Sequence, residues 1–361
     1  MQDIVLVFLG ALALLFISRK VAKKVGLVDK PNARKHHNGH IPLVGGVSVY
    51  LSLWIIYILQ PGWLPDFTLY MACATMLIVV GVLDDKLDLP VMPRMALQAL
   101  VASIMMYNGL YLYSLGNILF GYELVLGVLG YGVTLLAVVG AINAFNMVDG
   151  IDGLLGALSS VTFGALATVF WMGGNDEMAL WCLCLMVACL PYILLNLGIP
   201  WGRKFKVFMG DAGSTLIGFT VIWVLLETTQ GKTHPISPVT ALWIIAIPLM
   251  DMVAIMYRRL RKGMSPFSPD RQHIHHLIMR AGFTSRQAFV LITLAAAILA
   301  AIGVAAEYAH FIPEWVMLVL FLLAFFMYGY CIKRAWKVAR FIKRLKRRMR
   351  RNSGKNTTLT K

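Results

Sequence analysis

The chain has 361 residues, of which 59% are hydrophobic and only 14% are charged. A soluble domain of ordinary composition carries about 25% charged residues, so this composition excludes an ordinary water-soluble fold. The formal net charge of +16 would suggest a nucleic-acid partner in a soluble protein. In a membrane protein, however, lysine and arginine fix the topology, and no nucleic-acid partner is expected here.

Apolar segments of membrane-spanning length recur along the whole chain, and a spanning helix needs roughly 20 mostly apolar residues. The sequence therefore predicts an all-α, polytopic integral membrane protein, with residues 1–335 as the membrane domain and 336–361 as a basic cytoplasmic tail. About eleven transmembrane helices are expected, at 3–18, 42–60, 67–83, 94–114, 123–142, 154–172, 178–199, 211–227, 238–257, 287–306 and 314–332.

The basic residues predict the orientation of these helices. With the N-terminus periplasmic and the C-terminus cytoplasmic, 32 of the 33 lysines and arginines fall on the inner side, and only Lys232 falls outside. Positive charge is enriched in cytoplasmic loops, so we expect an inner-membrane protein oriented in this way. The basic tail is expected to lie on anionic lipid headgroups.

The first two inner segments combine turn-forming residues, cations and carboxylates. The first covers residues 29–46, and the need for positive charge on the cytoplasmic side explains many of its basic residues. The second contains the adjacent pair Asp84 and Asp85 at the inner end of a span. Paired carboxylates repel each other unless a cation or hydrogen bonds compensate. A phosphate substrate with its Mg²⁺ ion would compensate them; the alternative is a solvated helix end beside Lys86.

The third inner segment, residues 143–153, holds Asn143, Asn146, Asp149 and Asp152 but no lysine or arginine, so topology does not explain it. The first three of these residues are spaced by three and would share a face on a helical turn. Unpaired polar groups at the mouth of apolar spans are costly. The pattern therefore favours a ligand site over a simple capped turn.

The fourth inner segment runs from Lys206 to Ser214 and places Asp211 at the start of a long apolar span. An aspartate at that position can be a helix cap. A carboxylate at a helix N-terminus between glycines also suits one side of a Mg²⁺–diphosphate site. The sequence leaves both interpretations open.

The fifth inner segment, residues 258–276, is basic and rich in histidine. A zinc site is not expected, because no cysteine or acidic residue stands at ligand spacing from the histidines. Facing carboxylate-rich segments, the group fits a clamp on diphosphate oxygens. The candidate clamp residues are Arg271, His273, His275 and His276.

Taken in order, four motifs resemble the polyprenyl-phosphate N-acetylhexosamine-1-phosphate transferase superfamily, and the similar stretches cover about two thirds of the chain. These motifs are Asp84-Asp85, the run 143–153, Phe208-Met-Gly-Asp211 and the run 265–276. The resemblance implies a Mg²⁺-dependent enzyme, with Mn²⁺ as a possible substitute, that transfers a sugar 1-phosphate from a UDP-sugar to undecaprenyl phosphate. The first segment resembles the branch that uses UDP-GlcNAc more than the branch that uses the muramoyl-pentapeptide donor.

The resemblance also implies roles for individual residues. Asp211, with Asn146, would bind the metal ion, and Phe208 would stack on uracil with Asp152 near the uridine. Asn143 would contact substrate as well. Four residues are expected to be catalytic: Asp84, Asp85, Asp149 and Asp152. The clamp of Arg271 and the three histidines would hold the diphosphate and the sugar.

Several alternatives remain open at this stage. A transporter would place ionisable residues in the middle of its spans, where this sequence has almost none, and a scaffold would not need five polar inner segments. Another transferase of the same superfamily is the serious rival. The lipid phosphate either attacks directly or follows a carboxylate nucleophile such as Asp85 or Asp149. Asp251 would support the site from behind or pair with Arg258, and a homodimer is possible.

Overall fold

The computed structural model describes residues 2–29, 39–230, 235–266, 273–309 and 312–334. Nearly all regular structure in these residues is helical. The helices are α1 (Gln2–Val25), α2 (Gly45–Leu59), α3 (Phe67–Leu87), α4 (Val91–Tyr107), α5 (Leu129–Val148), α6 (Leu154–Met172), α7 (Asp176–Leu197), α8 (Gly210–Gln230), α9 (Pro238–Ile244), α10 (Ala246–Arg261), α11 (Ile274–Arg280), α12 (Ser285–Ala309) and α13 (Glu314–Arg334). Two short strands, β1 (Val28–Asp29) and β2 (Ile41–Pro42), pair antiparallel.

The helices confirm a polytopic all-α membrane protein. Within the described residues, eight helices are long and apolar enough to cross a membrane, and α9 with α10 could form a ninth, bent span. The shorter apolar helices α2 and α4 coincide with two further predicted spans. Each of the eleven predicted spans thus overlaps a helix or the bent pair. The number of true crossings and the orientation stay predictions.

Two predicted boundaries are wrong. The span expected at 94–114 ends at Tyr107, and the span expected at 123–142 begins only at Leu129. The intervening segment, residues 108–128, forms a compact loop with isolated bridges between Ser114 and Val125 and between Leu119 and Tyr122. Glycines with positive φ at positions 109, 116, 121 and 127 turn the backbone away from helical geometry although the side chains between them are apolar.

Helix α8 lies at the centre of the bundle, packed against α2, α3, α5 and α6. The backbones of α8 and α2 touch directly, because both helices have a glycine at the contact. A Cβ added at Gly46 would lie 2.1 Å from the Cα of Gly213. Any side chain at Gly46 would force the two helices apart. The glycines therefore set how closely the N-terminus of α8 approaches its neighbours.

Helices α9 and α10 meet at a bend of 84° around Ile245. Pro248, in the first turn of α10, has no backbone N–H to donate to the preceding turn, which helps to separate the two helices. The bend opens an apolar cavity of about 520 Å³ beside α5 and α8. The only polar side chain that lines this cavity among the described residues is Thr229.

The bundle has two ends with different chemistry. We call the site end the one at which α3, α5, α7 and α10 finish and α8 begins, because it carries the predicted site residues. The opposite end carries the loop 108–128 and the start of α13. Arg271 and the predicted tail, residues 336–361, lie outside the described residues.

Candidate active site

Asp84 and Asp85 lie in the last turn of α3. Asp85 faces the N-terminus of α8. Asp85 accepts two backbone hydrogen bonds from that helix, from the N–H of Asp211 at 2.7 Å and from the N–H of Ala212 at 3.2 Å. A carboxylate at a helix N-terminus is stabilised by the unpaired N–H groups and the helix dipole. Gly210 has φ +78°, and a Cβ there would lie 2.3 Å from Asp85 Oδ2, so this contact requires glycine.

Asp84 is buried, and both of its carboxylate oxygens have bonding partners. Its Oδ2 pairs with Arg94 at 2.6 Å, and its Oδ1 accepts the backbone N–H of Leu89 at 2.8 Å. A buried carboxylate is tolerated when it is paired and hydrogen-bonded in this way. The catalytic role of Asp84 stays a prediction, and its contacts favour a role in holding Arg94.

Asp211 lies between Asn146 and Arg94 with much of its side chain exposed. Its Oδ1 accepts a hydrogen bond from Asn146 Nδ2 at 2.7 Å, while its Oδ2 is 3.9 Å from Arg94. Asn146 also donates to the hydroxyl of Ser214 at 2.7 Å. With its amide nitrogen committed to these two acceptors, Asn146 has its amide oxygen left for a ligand.

Asn143 is oriented differently from Asn146. Its amide nitrogen donates to Gln98 Oε1 on α4 and to the Val139 carbonyl, both at 2.8 Å. These contacts join α4 to α5 and account for both donors of the amide. The prediction that Asn143 binds substrate is not tested, and the contacts give it a structural role as well.

Asp149 follows α5 in the turn before α6 and is exposed at the surface of the site. Although the residue is exposed, surrounding protein keeps water from part of its carboxyl group. This desolvation, followed by the charges of Asp211 and Asp152, raises the pKa of the Asp149 carboxyl to about 7. Such a carboxyl can hold or release a proton near neutral pH, which suits the catalytic role predicted for it.

Asp152 and Phe208 meet through Lys206. The Lys206 Nζ atom is 2.6 Å from Asp152 Oδ2 and 5.2 Å from the centroid of the Phe208 ring. An ammonium group at that distance from an aromatic face is an attractive cation–π contact. The three side chains form one unit beside the carboxylate cluster.

Phe208 is held in place by the backbone of the first inner segment. Its N–H donates to the Pro42 carbonyl at 2.9 Å, and its own carbonyl accepts from Val44 and Gly45 at 3.1 and 2.9 Å. The buried Asn196 of α7 joins the same region, donating to the Val207 carbonyl and accepting from Gly153 N–H. Pro42, Val44 and Gly45 belong to the first inner segment, which is the segment predicted to distinguish the two donor branches. This segment therefore contacts Phe208 through backbone hydrogen bonds.

The histidines of the fifth segment approach the third segment. His273 Nδ1 lies 2.8 Å from Asp251 Oδ2, so Asp251 pairs with this histidine. The His275 ring packs directly on Gly150, where an added Cβ would lie 2.2 Å from the imidazole. The rings of His275 and His276 are 4.2 Å apart. The structure thus brings three of the four clamp residues to the site.

His275 is buried, and within the described residues neither of its ring nitrogens has a hydrogen-bond partner. Burial, and then the neighbouring His276 and His273, lower the pKa of His275 to about 3. The ring is neutral at physiological pH. If His275 holds a diphosphate as predicted, it does so by hydrogen bonding and not as a cation.

The oxygen ligands that the site offers suit a divalent cation that arrives already bound to its substrate. In the part of the chain described, no group of three or more His, Cys, Asp or Glu is arranged to hold a metal ion. Mg²⁺ is usually bound by one or two carboxylates together with substrate phosphates and water. The half-exposed carboxylate of Asp211, with the Asn146 amide beside it, meets that requirement without a complete protein cage.

Four residues of the site were not predicted from the sequence. Arg94 and Lys206 were counted only as topogenic charges, and Asn196 and Ser214 lie within apolar helices. A signal existed for Asn196, because a lone amide in the last turn of a span needs buried partners. No sequence signal distinguished Arg94 from the other basic residues.

A bundle of apolar helices that gathers carboxylates, an aromatic ring with a lysine, and histidines at one end is typical of an integral-membrane enzyme. Residues 67–229 match the model of glycosyl transferase family 4. The chain is 69% identical to the undecaprenyl-phosphate alpha-N-acetylglucosaminyl 1-phosphate transferase of Escherichia coli K12, over 99% of this chain and 98% of that protein. The chain belongs to this family and is a transferase.

Two further relatives carry the same name. The protein of Salmonella typhi is 66% identical, over 100% of this chain and 98% of its own length. The protein of Pasteurella multocida is 55% identical, over 97% of this chain and 98% of its own length. The similarity therefore extends through all segments of the site end.

Proposed function

We propose that the protein transfers GlcNAc 1-phosphate from UDP-GlcNAc to undecaprenyl phosphate, releasing UMP and starting a lipid-linked surface polysaccharide. The observation that carries this proposal is the 69% identity over 99% of the chain to a relative named for that reaction. The site end supports it independently, since it combines carboxylates, an aromatic ring with a lysine, and histidines in one place.

For the donor, Asp211 and the Asn146 amide oxygen would hold Mg²⁺, or Mn²⁺ in its place, against the diphosphate. The ion offsets the charge of the diphosphate and of the leaving UMP. The Phe208 ring would stack on uracil, with Asp152 near the uridine and Lys206 between them. This arrangement accounts for the cation–π contact and for the backbone bonds that fix Phe208.

For the acceptor, the apolar cavity beside the α9–α10 bend offers a place for the polyprenyl chain. Its volume is about 520 Å³, and it is lined by residues of α5, α8, α9 and α10 that extend toward Ala144, two residues before Asn146. Burying a long isoprenoid chain against these apolar side chains is favourable by about 25 cal/mol per Å² of apolar surface removed from water. The phosphate at its head would then lie close to the carboxylate cluster.

We favour direct attack of the lipid phosphate over a covalent enzyme intermediate. A phosphate monoester has its second pKa near about 6 and is mostly a dianion at neutral pH. A new P–O bond would form at the sugar-bearing phosphorus while the P–O bond to UMP breaks. Asp85 is a poor rival nucleophile because both of its carboxylate oxygens accept backbone N–H groups. Asp149 is then the carboxyl available to take a residual proton.

The proposal predicts how purified protein behaves with a panel of UDP-sugars. With undecaprenyl phosphate and Mg²⁺, UDP-GlcNAc should give UMP and a lipid-linked product, while UDP-MurNAc-pentapeptide should be a poor donor. Preference for the muramoyl donor would favour the other branch of the superfamily. Without lipid acceptor, labelled UMP should not exchange into UDP-GlcNAc; exchange at the rate of turnover would indicate a covalent intermediate.

The site end would face the cytoplasm of a bacterium from its inner membrane, because the basic residues concentrate there. A cysteine introduced in place of Lys86, exposed beside Asp85, should react with a membrane-impermeant maleimide only after the cells are permeabilised. A cysteine in place of Tyr122, exposed in the loop 108–128, should react in intact cells of an outer-membrane-permeable strain. The reverse pattern would invert the proposed topology.

A further inference from the structure

The carboxylate of Asp251 is fully buried in α10 and is the meeting point of three elements. Its Oδ2 is 2.8 Å from His273 Nδ1, and its Oδ1 accepts the N–H of Ile274 at 3.0 Å and the hydroxyl of Tyr328 at 2.7 Å. Burying a carboxylate is costly unless it is well hydrogen-bonded. Here the three bonds join α10 to the start of α11 and to α13.

This arrangement determines which nitrogen of His273 carries the proton. A carboxylate only accepts hydrogen bonds, so Nδ1 of the neutral ring must be the protonated nitrogen. Nε2 is then an unprotonated acceptor. It can accept a hydrogen bond from a sugar hydroxyl but cannot donate one to a diphosphate oxygen, so within the predicted clamp His273 would meet the sugar. Because the same carboxylate also binds the N–H of Ile274, it fixes the backbone from which the His273 ring projects.

The contacts continue from His273 into the site. The His273 ring lies parallel to that of His275, with 5.7 Å between centroids and 3° between planes. The His275 ring packs in turn on Gly150, next to Asp149. A continuous path of contacts therefore joins Tyr328, on a peripheral helix, to the turn that carries the catalytic carboxyl.

We propose that Asp251 and Tyr328 are positioning residues for the transfer reaction, holding His273 in its Nδ1–H tautomer with Nε2 directed to the substrate. This inference rests on the proposed function for its kinetic consequence, but not for the tautomer itself. A histidine held by a buried carboxylate is oriented as in catalytic triads, where the carboxylate does not take the proton.

The first test compares kcat and KM for UDP-GlcNAc in Asp251→Asn and Tyr328→Phe. Asp251→Asn should lower kcat about 100-fold, and Tyr328→Phe about 10-fold, the range found when groups that orient a ligand are removed. KM should change less than about threefold, because most contacts to the bound substrate are made by residues other than His273. Tyr330→Phe is the matched control, since Tyr330 lies on the same helix but is exposed; it should behave as wild type.

The second test observes the tautomer directly by NMR of protein labelled with ¹⁵N in the histidine rings. Wild type should give one neutral Nδ1–H ring signal that disappears in His273→Asn, and Asp251→Asn should change it while Tyr330→Phe does not. A wild-type kcat in Asp251→Asn, or an Nε2–H tautomer in wild type, would overturn the inference. So would a loss confined to thermal stability, because that outcome indicates a structural bond only.

Failure of the inference and failure of the proposed function can be told apart. If the wild-type protein transfers no sugar phosphate from any UDP-sugar, the proposed function is wrong, and the ring signal alone decides whether Asp251 sets the tautomer. If wild type is active and Asp251→Asn is equally active, the function holds and the positioning role is wrong.

Discussion

The two ends of the bundle use buried and half-buried carboxylates in opposite ways. At the opposite end, Glu307 accepts hydrogen bonds from the hydroxyls of Ser237 and Thr240, and Glu314 accepts from the backbone and side chain of Asn117. These bonds join α12 to the start of α9, and α13 to the loop 108–128. Each carboxylate is satisfied by neutral donors that the protein itself provides.

Carboxylates lie close to one another at both ends, since Glu314 is near Glu307 and Glu123. At the site end, however, the side chain of Asp211 is nearly half exposed. Asp211 is near Asp85 and Asp149, and its Oδ2 is still 3.9 Å from Arg94. Like charges at such separations are unfavourable without a compensating cation. We propose that this difference separates carboxylates that hold the fold together from carboxylates that bind a cation and a substrate. Substitutions at one end should therefore affect activity, and those at the other end stability.

The largest effect is expected for Asp211→Asn. If Asp211 binds the metal ion as proposed, removing this charge takes away the ion's main protein ligand, so turnover should fall by about 10³-fold or more. Thermal stability should change little, since asparagine can still accept from Asn146. Asp88→Asn is the control: Asp88 is exposed, with φ +54°, a conformation that asparagine tolerates well. Near-normal turnover of Asp211→Asn would leave Asp211 as a structural hydrogen-bond partner of Asn146 only.

Gly150→Ala should have the next largest effect. A methyl group at Gly150 would lie 2.2 Å from the His275 ring, so the ring or the turn must move, and misplacement of about 1 Å can cost 10²-fold in rate. Gly132→Ala in α5 has nothing within 4 Å of the added methyl and should keep full activity. Equal kcat values for the two variants would show that the contact between His275 and Gly150 does not matter for the reaction.

At the opposite end, Glu314→Gln should reduce stability and spare catalysis. Hydrogen bonds to a charged acceptor contribute about 1.5–3 kcal/mol each, and a neutral amide weakens both bonds to Asn117. The midpoint of thermal unfolding in detergent should fall by a few degrees while kcat per folded molecule is unchanged. Glu177→Gln, at an exposed position in the first turn of α7, should change the midpoint less. A fall in kcat for Glu314→Gln would remove the distinction between the two ends.

The smallest effect concerns pH and His275. Burial and the neighbouring histidines lower the pKa of His275 to about 3, below the value of about 6.5 in an unfolded chain. Its contribution to stability is complete above pH 6.5 and is lost as the pH falls toward 3, because the unfolded chain then binds more protons. Melting midpoints between pH 7 and pH 5 should fall less steeply for His275→Gln than for wild type. The exposed His40→Gln should not change the slope.

Sequence alone predicted the helices well and the contacts between them less well. Apolar length predicted a helix, or the bent pair, at each expected span. It also extended two predicted helices through residues 108–114 and 123–128, where glycines with positive φ turn the chain. Spacing by three placed Asn146 beside Asp149 at the end of α5, where it contacts Asp211, and its role in binding stays a prediction. The same rule failed to anticipate that Asn143 turns to Gln98 on another helix, because helical periodicity does not say which neighbour each face meets.

The bond between Asp85 and the N-terminus of α8 has a consequence for biosynthesis. Asp85 precedes its backbone donor at Asp211 by 126 residues, and ribosomes add about 5–20 residues per second. The carboxylate therefore emerges roughly 6 to 25 seconds before the N–H groups that will hold it. During that interval α3 must rest in the bilayer with its terminal charges solvated by water. A nascent chain that ends before residue 210 leaves them in that state permanently and offers quality-control proteases an unassembled helix end.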